Sequence, residues 1–504
     1  MELIIVSPLL VLLSATILCV LFFNNPSAQK VIALMGNFLY LCATLILFLE
    51  VQSHGILSMQ VGDWPAPFGI TLVVDTFSAC MLMITSIVSI CTFLFALEDV
   101  SSEQKAVGFY PVFLFLIFGV SGSFLTGDIF NLYVWYEIML LASFVLISLG
   151  NTKEQLEGAV KYVILSFLAS GFFLVGIGLL YKGVGSLNLA DIATIMQGEY
   201  NQTLVGLSSV FFITGFGVKS GIFPFFFWLP SSYHTPPASI SSLMAGLLTK
   251  VGVYTFIRMY TLIFDLDPFT YKVLWWVAAL TMITGVLGAM AQKDFRKILS
   301  FHIISQIGYM IMGLVIYTPL AIAGAVFYII HHIIVKSNLF LISGIVNSLR
   351  GSYKLGLIGG VYKYYPFITG IFVISAFSLA GIPPLSGFWS KFILVKAGMA
   401  NNEYLLVAIS LVVGLLTLFS MVKIWNQVFW EKTIVESGEE NVLTWSSWWK
   451  RKYLMIIPVV VFALLTLGIG LYPAYLIDLA MQAADELSNP QLYIESVLNK
   501  SESQ

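Results

Sequence analysis

The sequence predicts an all-α polytopic membrane protein of about fourteen transmembrane helices, two of them broken, and three observations carry that prediction. First, 59% of the 504 residues are hydrophobic and only 10% are charged, against roughly 45–50% and 25% in soluble domains. The 24 basic and 26 acidic side chains are too few to cover a soluble core of this size. Second, apolar runs of about 20 residues, enough to cross a bilayer, recur along the whole chain. Third, basic residues concentrate in alternate connections, as they do when alternate loops face the cytoplasm. A net charge of −2 offers no field for nucleic acid, which is excluded as a partner.

In order, the runs are 2–23, 31–50, 71–97, 108–126, 128–149, 158–182, 202–229, 239–262, 271–291, 299–316, 320–346, 366–399, 402–430 and 455–476. The first opens Met1-Glu2-Leu3 without a basic n-region, so it reads as a membrane helix and not as a signal peptide. Cys19, Cys42, Cys80 and Cys91 lie in apolar runs with no Cys-x-x-Cys pair, which signals no disulfide framework, zinc site or iron–sulfur site. The longest connections are 51–70, 183–201, 347–365 and 431–454, and a polar tail follows from Asp478. No large soluble domain is expected, although Leu187 to Gln197 has the mixed pattern of a short amphipathic surface helix.

Connections after odd-numbered spans carry thirteen Lys and Arg residues, among them Lys30, Lys105, Lys293, Arg296, Lys297, Arg350, Lys432, Lys450 and Arg451. Those after even-numbered spans carry little beyond Lys182 and Lys272. Odd loops are therefore placed in the cytoplasm and both termini outside.

Two runs are too long and too interrupted to be simple helices. Residues 202–229 contain Gly215, Gly217, Gly221 and Pro224, and residues 366–399 contain Gly381, Pro383, Pro384 and Gly387. Proline removes a helical hydrogen bond, and backbone groups freed at membrane depth require an interior lined by protein or water. Gly221-Ile222-Phe223-Pro224 before Phe227-Trp228 matches Gly381-Ile382-Pro383-Pro384 before Phe388-Trp389. Five spans separate the two, so the second copy runs inverted, and paired interrupted spans point to an ion or substrate path near the midplane.

A charge at mid-bilayer costs at least about 2.5–3.5 kcal/mol, so ionisable groups there are candidates for function. Five qualify: Glu137 in span 5, Lys219 at the break of span 7, Lys250 in span 8, Lys336 in span 11 and Lys391 in the second half of span 12. Lysine gives up its proton when desolvated, as arginine does not, so buried lysines suit proton exchange. His331, His332 and Tyr328 share span 11, with His332 and Lys336 four residues apart on one face, and His302, Ser305 and Tyr309 of span 10 extend the relay. Asp75, Lys161, Arg258, Lys396 and Lys423 lie nearer span ends, where interfacial solvation accounts for them, and are left out of the site. There is no Gly-x-Gly-x-x-Gly fingerprint, phosphate loop, haem-type histidine arrangement or zinc spacing, so no cofactor and no metal are expected. The energy source is then an ion gradient or a redox partner elsewhere.

The stretch Phe216-Gly217-Val218-Lys219-Ser220-Gly221-Ile222-Phe223-Pro224-Phe225-Phe226-Phe227-Trp228-Leu229-Pro230, continuing through His234-Thr235-Pro236-Pro237 to Leu248-Thr249-Lys250-Val251-Gly252, resembles the signature of the antiporter-like membrane subunits. That family is shared by respiratory complex I, membrane-bound hydrogenases and Mrp-type multisubunit sodium/proton antiporters. The resemblance runs over about residues 70 to 430 and includes Ser305-Gln306-Ile307-Gly308, His331-His332 with Lys336, and Leu379 through Lys391. It implies fourteen helices with two inverted five-helix repeats, spans 4–8 (108–262) and 9–13 (271–430), after three N-terminal helices (1–107) and before a cytoplasmic loop, last helix and external tail (431–504).

By the same resemblance Glu137 and Lys219 form a modulating ion pair, Lys250 is the central relay, His332 and Lys336 continue the path and Lys391 is the terminal proton site. Which of His331 and His332 operates stays open. Lysine at 391 and the run Gly381 to Trp389 look most like the D-type branch of the Mrp-type antiporters. The implied function is proton translocation coupled to sodium export in the cell membrane, in a hetero-oligomer with other membrane subunits, with H+ and Na+ as the ions and the protein a secondary transporter component and not an enzyme. The alternative is a proton-pumping subunit of a respiratory NADH:quinone oxidoreductase or membrane-bound hydrogenase complex. Sodium prefers oxygen ligands, and no acidic cluster for it stands out, so sodium is assigned to a partner subunit.

Overall fold

The computed structural model describes residues 2–431 and 445–498. Lys432 and the middle of the 431–454 connection lie outside the described residues. Thirteen of the described helices are long and apolar enough to cross a membrane. They are α1 (Glu2–Leu21), α2 (Pro26–His54), α3 (Thr76–Asp99), α4 (Ser102–Leu125), α5 (Ile129–Ser148), α6 (Lys153–Val184), α7 (Gln202–Ser220), α8 (Ala238–Leu262), α9 (Pro268–Ala291), α10 (Phe295–Ile316) and α11 (Pro319–Arg350), then, after a broken span, α14 (Tyr404–Trp430) and α15 (Lys452–Leu471). The broken span, the twelfth run of the sequence, is split into α12 (Pro366–Ala380) and α13 (Ser386–Ala400), each too short to cross alone.

Local chemistry sets the ends. Asp128 and Thr152 cap α5 and α6, and Thr318 followed by Pro319 opens α11. Two departures from the expected elements occur outside the spans. Leu57–Gln60 (β1) and Thr71–Val74 (β2) pair as an antiparallel hairpin, Leu57 opposite Val74. The apolar run read as opening span 3 at residue 71 is extended because Asp75 is the true N-cap, its carboxylate accepting from Ser78 N–H at 2.9 Å. The stretch read as a polar tail is two helices, α16 (Ala474–Ser488) and α17 (Pro490–Leu498), burying Leu479, Ala483, Leu487, Tyr493 and Val497. A short helix, Leu189–Ile195, does form where an amphipathic one is expected, with Leu189 and Ile192 buried and α17 packed on it.

The core is polar in a way that a soluble core is not. All 25 residues of α8 are buried, Lys250 included, and α10 and α11 are nearly as enclosed, whereas α1, α2, α6 and α9 keep apolar outer faces suited to lipid. Helix α3 lies antiparallel to α8 and holds it at both ends. Asp99 Oδ2 accepts from Ser239 N–H and Oγ–H, both at 2.8 Å, and Asp75 pairs with Arg258 at 2.5 Å.

Candidate functional site

At the first break α7 ends on Gly221, whose left-handed φ of 76° turns its N–H onto the Gly217 and Val218 carbonyls. Trp228 Nε1–H donates to Val218 O at 3.0 Å, and Phe223 N–H donates to Thr281 Oγ1 on α9 at 2.9 Å. Carbonyls at the end of this half-helix are thus met by protein groups. Lys219, in the last turn, lies with Nζ 5.6 Å from the Tyr136 ring centroid. Tyr136 is anchored by its hydroxyl to Thr255 Oγ1 of α8 at 2.7 Å. Glu137, the next residue on α5, keeps Oε1 buried with no hydrogen-bond partner. Among the described residues it makes no ion-pair contact with Lys219, although its charge reaches the lysine. Lys219, Tyr136, Tyr162, Trp228 and Tyr233 line a cavity of about 20 Å³, room for roughly one water, and the Tyr233 hydroxyl there has no protein partner.

The second break repeats the backbone pattern. Gly381, with φ 93°, donates to Phe377 O and Ser378 O, and Ile382 N–H donates to Phe377 O at 3.0 Å. Here Lys391 of α13 reaches back and donates from Nζ to Leu379 O at 3.0 Å and Ala380 O at 2.9 Å, with Nζ 4.9 Å from the Tyr309 ring centroid. A Cβ at 381 would come 2.8 Å from Lys391 Cδ, and one at 387 would come 1.8 Å from Ser378 O, so glycine lets the two half-helices meet at both places. His331 Nδ1 and Ser386 Oγ are 2.8 Å apart, and Ser386 bonds Ser378 Oγ at 3.0 Å.

Between the breaks lie the remaining candidates. Lys250 Nζ donates to the Ala245 carbonyl of its own helix, and Lys336 Nζ donates to Leu299 O on α10 at 3.0 Å. His332 has both ring nitrogens unpartnered and feels the charges of Lys250, Lys336, His331 and His302. Tyr328 stacks on His332 (6.5 Å) and on Tyr309 (5.2 Å), its hydroxyl on Gln306 Oε1. The contacts therefore run from His332 through Tyr328 and Tyr309 to Lys391. His302 Nε2 and Ser420 Oγ are 2.9 Å apart. Lys250, Lys336 and Lys391 are all held by backbone carbonyls, which accept from an amine or an ammonium alike, so no fixed carboxylate locks these lysines in the charged state.

Two open pockets lie at opposite ends of this region. One, of about 440 Å³, is lined by Glu157, Lys161, His234, Thr235, Gln292 and Lys297 and sits beside the Phe227–Thr235 stretch. Burial, with Lys297 and Arg296 nearby, pushes His234 down to about 4. The other, of about 180 Å³, is lined by Gln197, Thr261, Asp265 and Ser488 among others. The first gathers residues from connections after odd-numbered spans, the second from those after even-numbered spans.

One expectation is corrected. Asp75 and Arg258 do not sit in interfacial solvent: they form an ion pair whose side chains are 2% and 8% exposed, because α16 and α17 cover that end of the bundle. Lys423 is likewise engaged, donating to Met290 O and Gln292 O at the end of α9. Lys161 and Lys396 are exposed as expected. Residues that sequence reasoning passed over are Tyr136, Tyr233 and Ser386. Tyr136 neighbours Glu137, and Ser386 stands inside the Pro383-Pro384-Leu385-Ser386-Gly387 run, so adjacency was their only signal. Among the described residues no group of His, Cys, Asp and Glu side chains is arranged to hold a metal ion.

Residues 126–417 match the protein family described as "NADH:quinone oxidoreductase/Mrp antiporter, TM". The chain belongs to this family. Among its members, the D subunit of the Na(+)/H(+) antiporter of Alkalihalophilus pseudofirmus is 46% identical over 483 residues, 95% of this chain and 96% of that one. The corresponding D subunit of the Na(+)/H(+) antiporter of Bacillus subtilis is 38% identical over 497 residues, 98% and 99% of the two chains. In three dimensions the chain is similar to a chain of the Mrp complex from Dietzia sp. DQ12-45-1b, with a TM-score of 0.89 at 29% identity over 99% of this chain and 100% of that one. It is similar also to a chain of an archaeal membrane-bound sulfane sulfur reductase, TM-score 0.88 at 27% identity, covering 98% and 99% of the two chains. The family fold, a multi-pass membrane subunit of the kind found in multisubunit complexes, is the one described above.

Proposed function

We propose that the chain is the proton-translocating subunit of a multisubunit sodium/proton antiporter, a secondary transporter component of the cell membrane with both termini outside. Protons move along Glu137, Lys219, Lys250, Lys336, His331 or His332, and Lys391, and their entry drives sodium export through the complex. One observation carries this: two buried amines and two imidazoles with free ring nitrogens lie between two broken helices whose backbones repeat one pattern, the second of which carries a third amine, and backbone carbonyls hold all three amines. Relatives at 46% and 38% identity, each named as the D subunit of a Na(+)/H(+) antiporter, support the choice of ions. Residues 108–262 and 271–430 are the two repeats of the route. Glu137 modulates Lys219 across the Tyr136 ring and not through a direct ion pair, and sodium is handled by a partner subunit. An electrogenic step has about 2.3 kcal/mol per charge per 100 mV available to it.

The test is dye-monitored proton flux on sodium addition, in vesicles holding the whole complex. Glu137→Ala and Lys391→Ala should abolish the signal, and wild-type flux in both would overturn the assignment. Because the family description also covers NADH:quinone oxidoreductase subunits, a redox-driven complex is the second reading. Membranes lacking the gene should keep their NADH-driven quinone reduction; loss of it would favour the redox complex.

A further inference from the structure

The second break is tied to α11 by a chain of hydrogen bonds. Gly387 N–H, at the start of α13, donates to Ser378 Oγ of α12 at 3.2 Å. The Ser378 and Ser386 hydroxyls are 3.0 Å apart, and Ser386 Oγ is 2.8 Å from His331 Nδ1 on α11. A Cβ at 387 would come 2.9 Å from both Cε1 and Nε2 of His331, so that edge of the ring lies against the Gly387 backbone, and Nε2 has no partner. The charged and titratable groups facing His331 are Lys391 of α13 and, on its own helix, Tyr328 and His332.

The direction of this chain follows from its hydrogens. A backbone N–H can only donate, so Ser378 Oγ receives from Gly387. Ser378 has one hydroxyl hydrogen, and among the described residues Ser386 Oγ is its only acceptor. Ser386 in turn has one hydrogen, and the acceptor left for it is His331 Nδ1. The chain therefore holds His331 as the neutral tautomer with its hydrogen on Nε2. A proton on Nδ1 would leave one of the two buried hydroxyl hydrogens with no acceptor. His332, the next residue, is placed otherwise: neither ring nitrogen is engaged, and the charges of Lys250 and Lys336 both reach it.

The same residues set Lys391. Ser378 directly precedes Leu379 and Ala380, whose carbonyls accept from Lys391 Nζ, and Ser386 opens the helix that carries Lys391. Pinning Ser378 to Ser386 fixes the lysine and its acceptors relative to each other, and α11 supplies the third point. We infer that His331 is a positioning residue, a neutral pin that joins α11 to both halves of the second broken helix and seats Lys391 on α12, and that it carries no proton itself. His332 is then the imidazole left to the route. The pin rests on the proton-transport reading above.

The experiment uses the whole complex in vesicles, with sodium-linked proton flux followed across external pH and assembly checked on native gels. His331→Ala removes the acceptor for Ser386 and should lower flux about tenfold or more, since Lys391 loses its seat. Asparagine places an amide oxygen where histidine has Nδ1 and cannot titrate, so His331→Asn should restore at least about half of the lost flux with the wild-type pH profile. Ser386→Ala should lower flux as far as His331→Ala does, and the double variant no further. Assembled His331→Asn as inactive as His331→Ala would overturn the pin, because the ring itself would then be carrying the proton. If His331→Asn does not assemble, Ser386→Ala decides, and wild-type flux in it overturns the pin. So would flux in His331→Ala that stays at the wild-type rate or falls only in proportion to assembly. Lys391→Ala in the same vesicles separates the two claims: if it too transports normally the proton route itself fails, and if it is inactive alongside one of those results only the pin fails.

Discussion

The two broken helices share a backbone and differ in what closes it. Each ends on a left-handed glycine that folds its own N–H and the next one back onto the last turn. At the first break the exposed Val218 carbonyl is met by the neutral indole of Trp228, which leaves Lys219 over a tyrosine ring beside a water-sized cavity. At the second, the Leu379 and Ala380 carbonyls are met by Nζ of Lys391 itself. On the proposed route, structure and proton handling are separate duties in the first break and one duty in the second. A lysine with no backbone bond is free to shift towards Glu137, whereas one that caps a helix end gains from the negative end of the dipole and is held where it is.

The largest expected effect follows directly. Lys391→Ala should stop sodium-linked proton flux and also lower the melting temperature of the purified complex, because two buried carbonyls lose their partner at about 1–3 kcal/mol each. Lys219→Ala should stop flux with little change in melting. Equal melting shifts in the two variants would break the comparison. Next, Gly387→Ala places a Cβ 1.8 Å from Ser378 O, an overpacking expected to cost about 1–3 kcal/mol in chemical denaturation, while Gly206→Ala, where a Cβ meets nothing within 4 Å, should be neutral. Trp228→Phe removes one of the two donors to Val218 O and leaves the Gly221 N–H at 3.2 Å, and should cost about 0.5–1.5 kcal/mol while flux survives in whatever folds. Loss of flux at full stability would mean that the two duties are not separate at the first break.

A separate effect belongs to pH. The first break alone leads into a loop histidine, for α13 begins at once after the second. His234 is held neutral down to about 4, whereas in the unfolded chain it titrates near about 6.5. Its folded value is depressed, so between those values the unfolded state binds the extra proton and stability falls as pH falls. His234→Gln should flatten that part of the melting-temperature profile between about pH 6.5 and pH 4; an unchanged slope would show that other groups carry it.

Much of this was legible from residues alone, for identifiable reasons. The breaks were visible because Gly221, Pro224, Gly381, Pro383 and Pro384 act on their own backbone. The five mid-span charges were visible because hydropathy is summed over a local window. Asp75 and Arg258 were misplaced because each lies near a span end, and nothing near residue 75 or 258 announces that α16, more than 200 residues further on, will cover them. The same holds for Ser386 against His331, and for the Glu137–Lys219 pair, expected as a contact and found out of contact with the Tyr136 ring beside the lysine. Strand β2 was absorbed into span 3 because Thr71–Val74 is apolar enough to belong to either, and its partner β1 was left in the 51–70 connection.

Hydropathy and chain-breaking residues act within a few positions, so one dimension was enough to point to a membrane chain of many apolar helices, to where two of its runs break and to which lysines lie within those runs. Whether each lysine is held by a carbonyl, a ring or a carboxylate depends on atoms brought together from distant parts of the chain. In the low dielectric of the bundle that choice of partner governs a buried charge, and packing makes it: Lys391 caps α12, Lys219 rests over Tyr136, and beside the end of α8 Asp75 pairs with Arg258 while Glu486 accepts from Thr76.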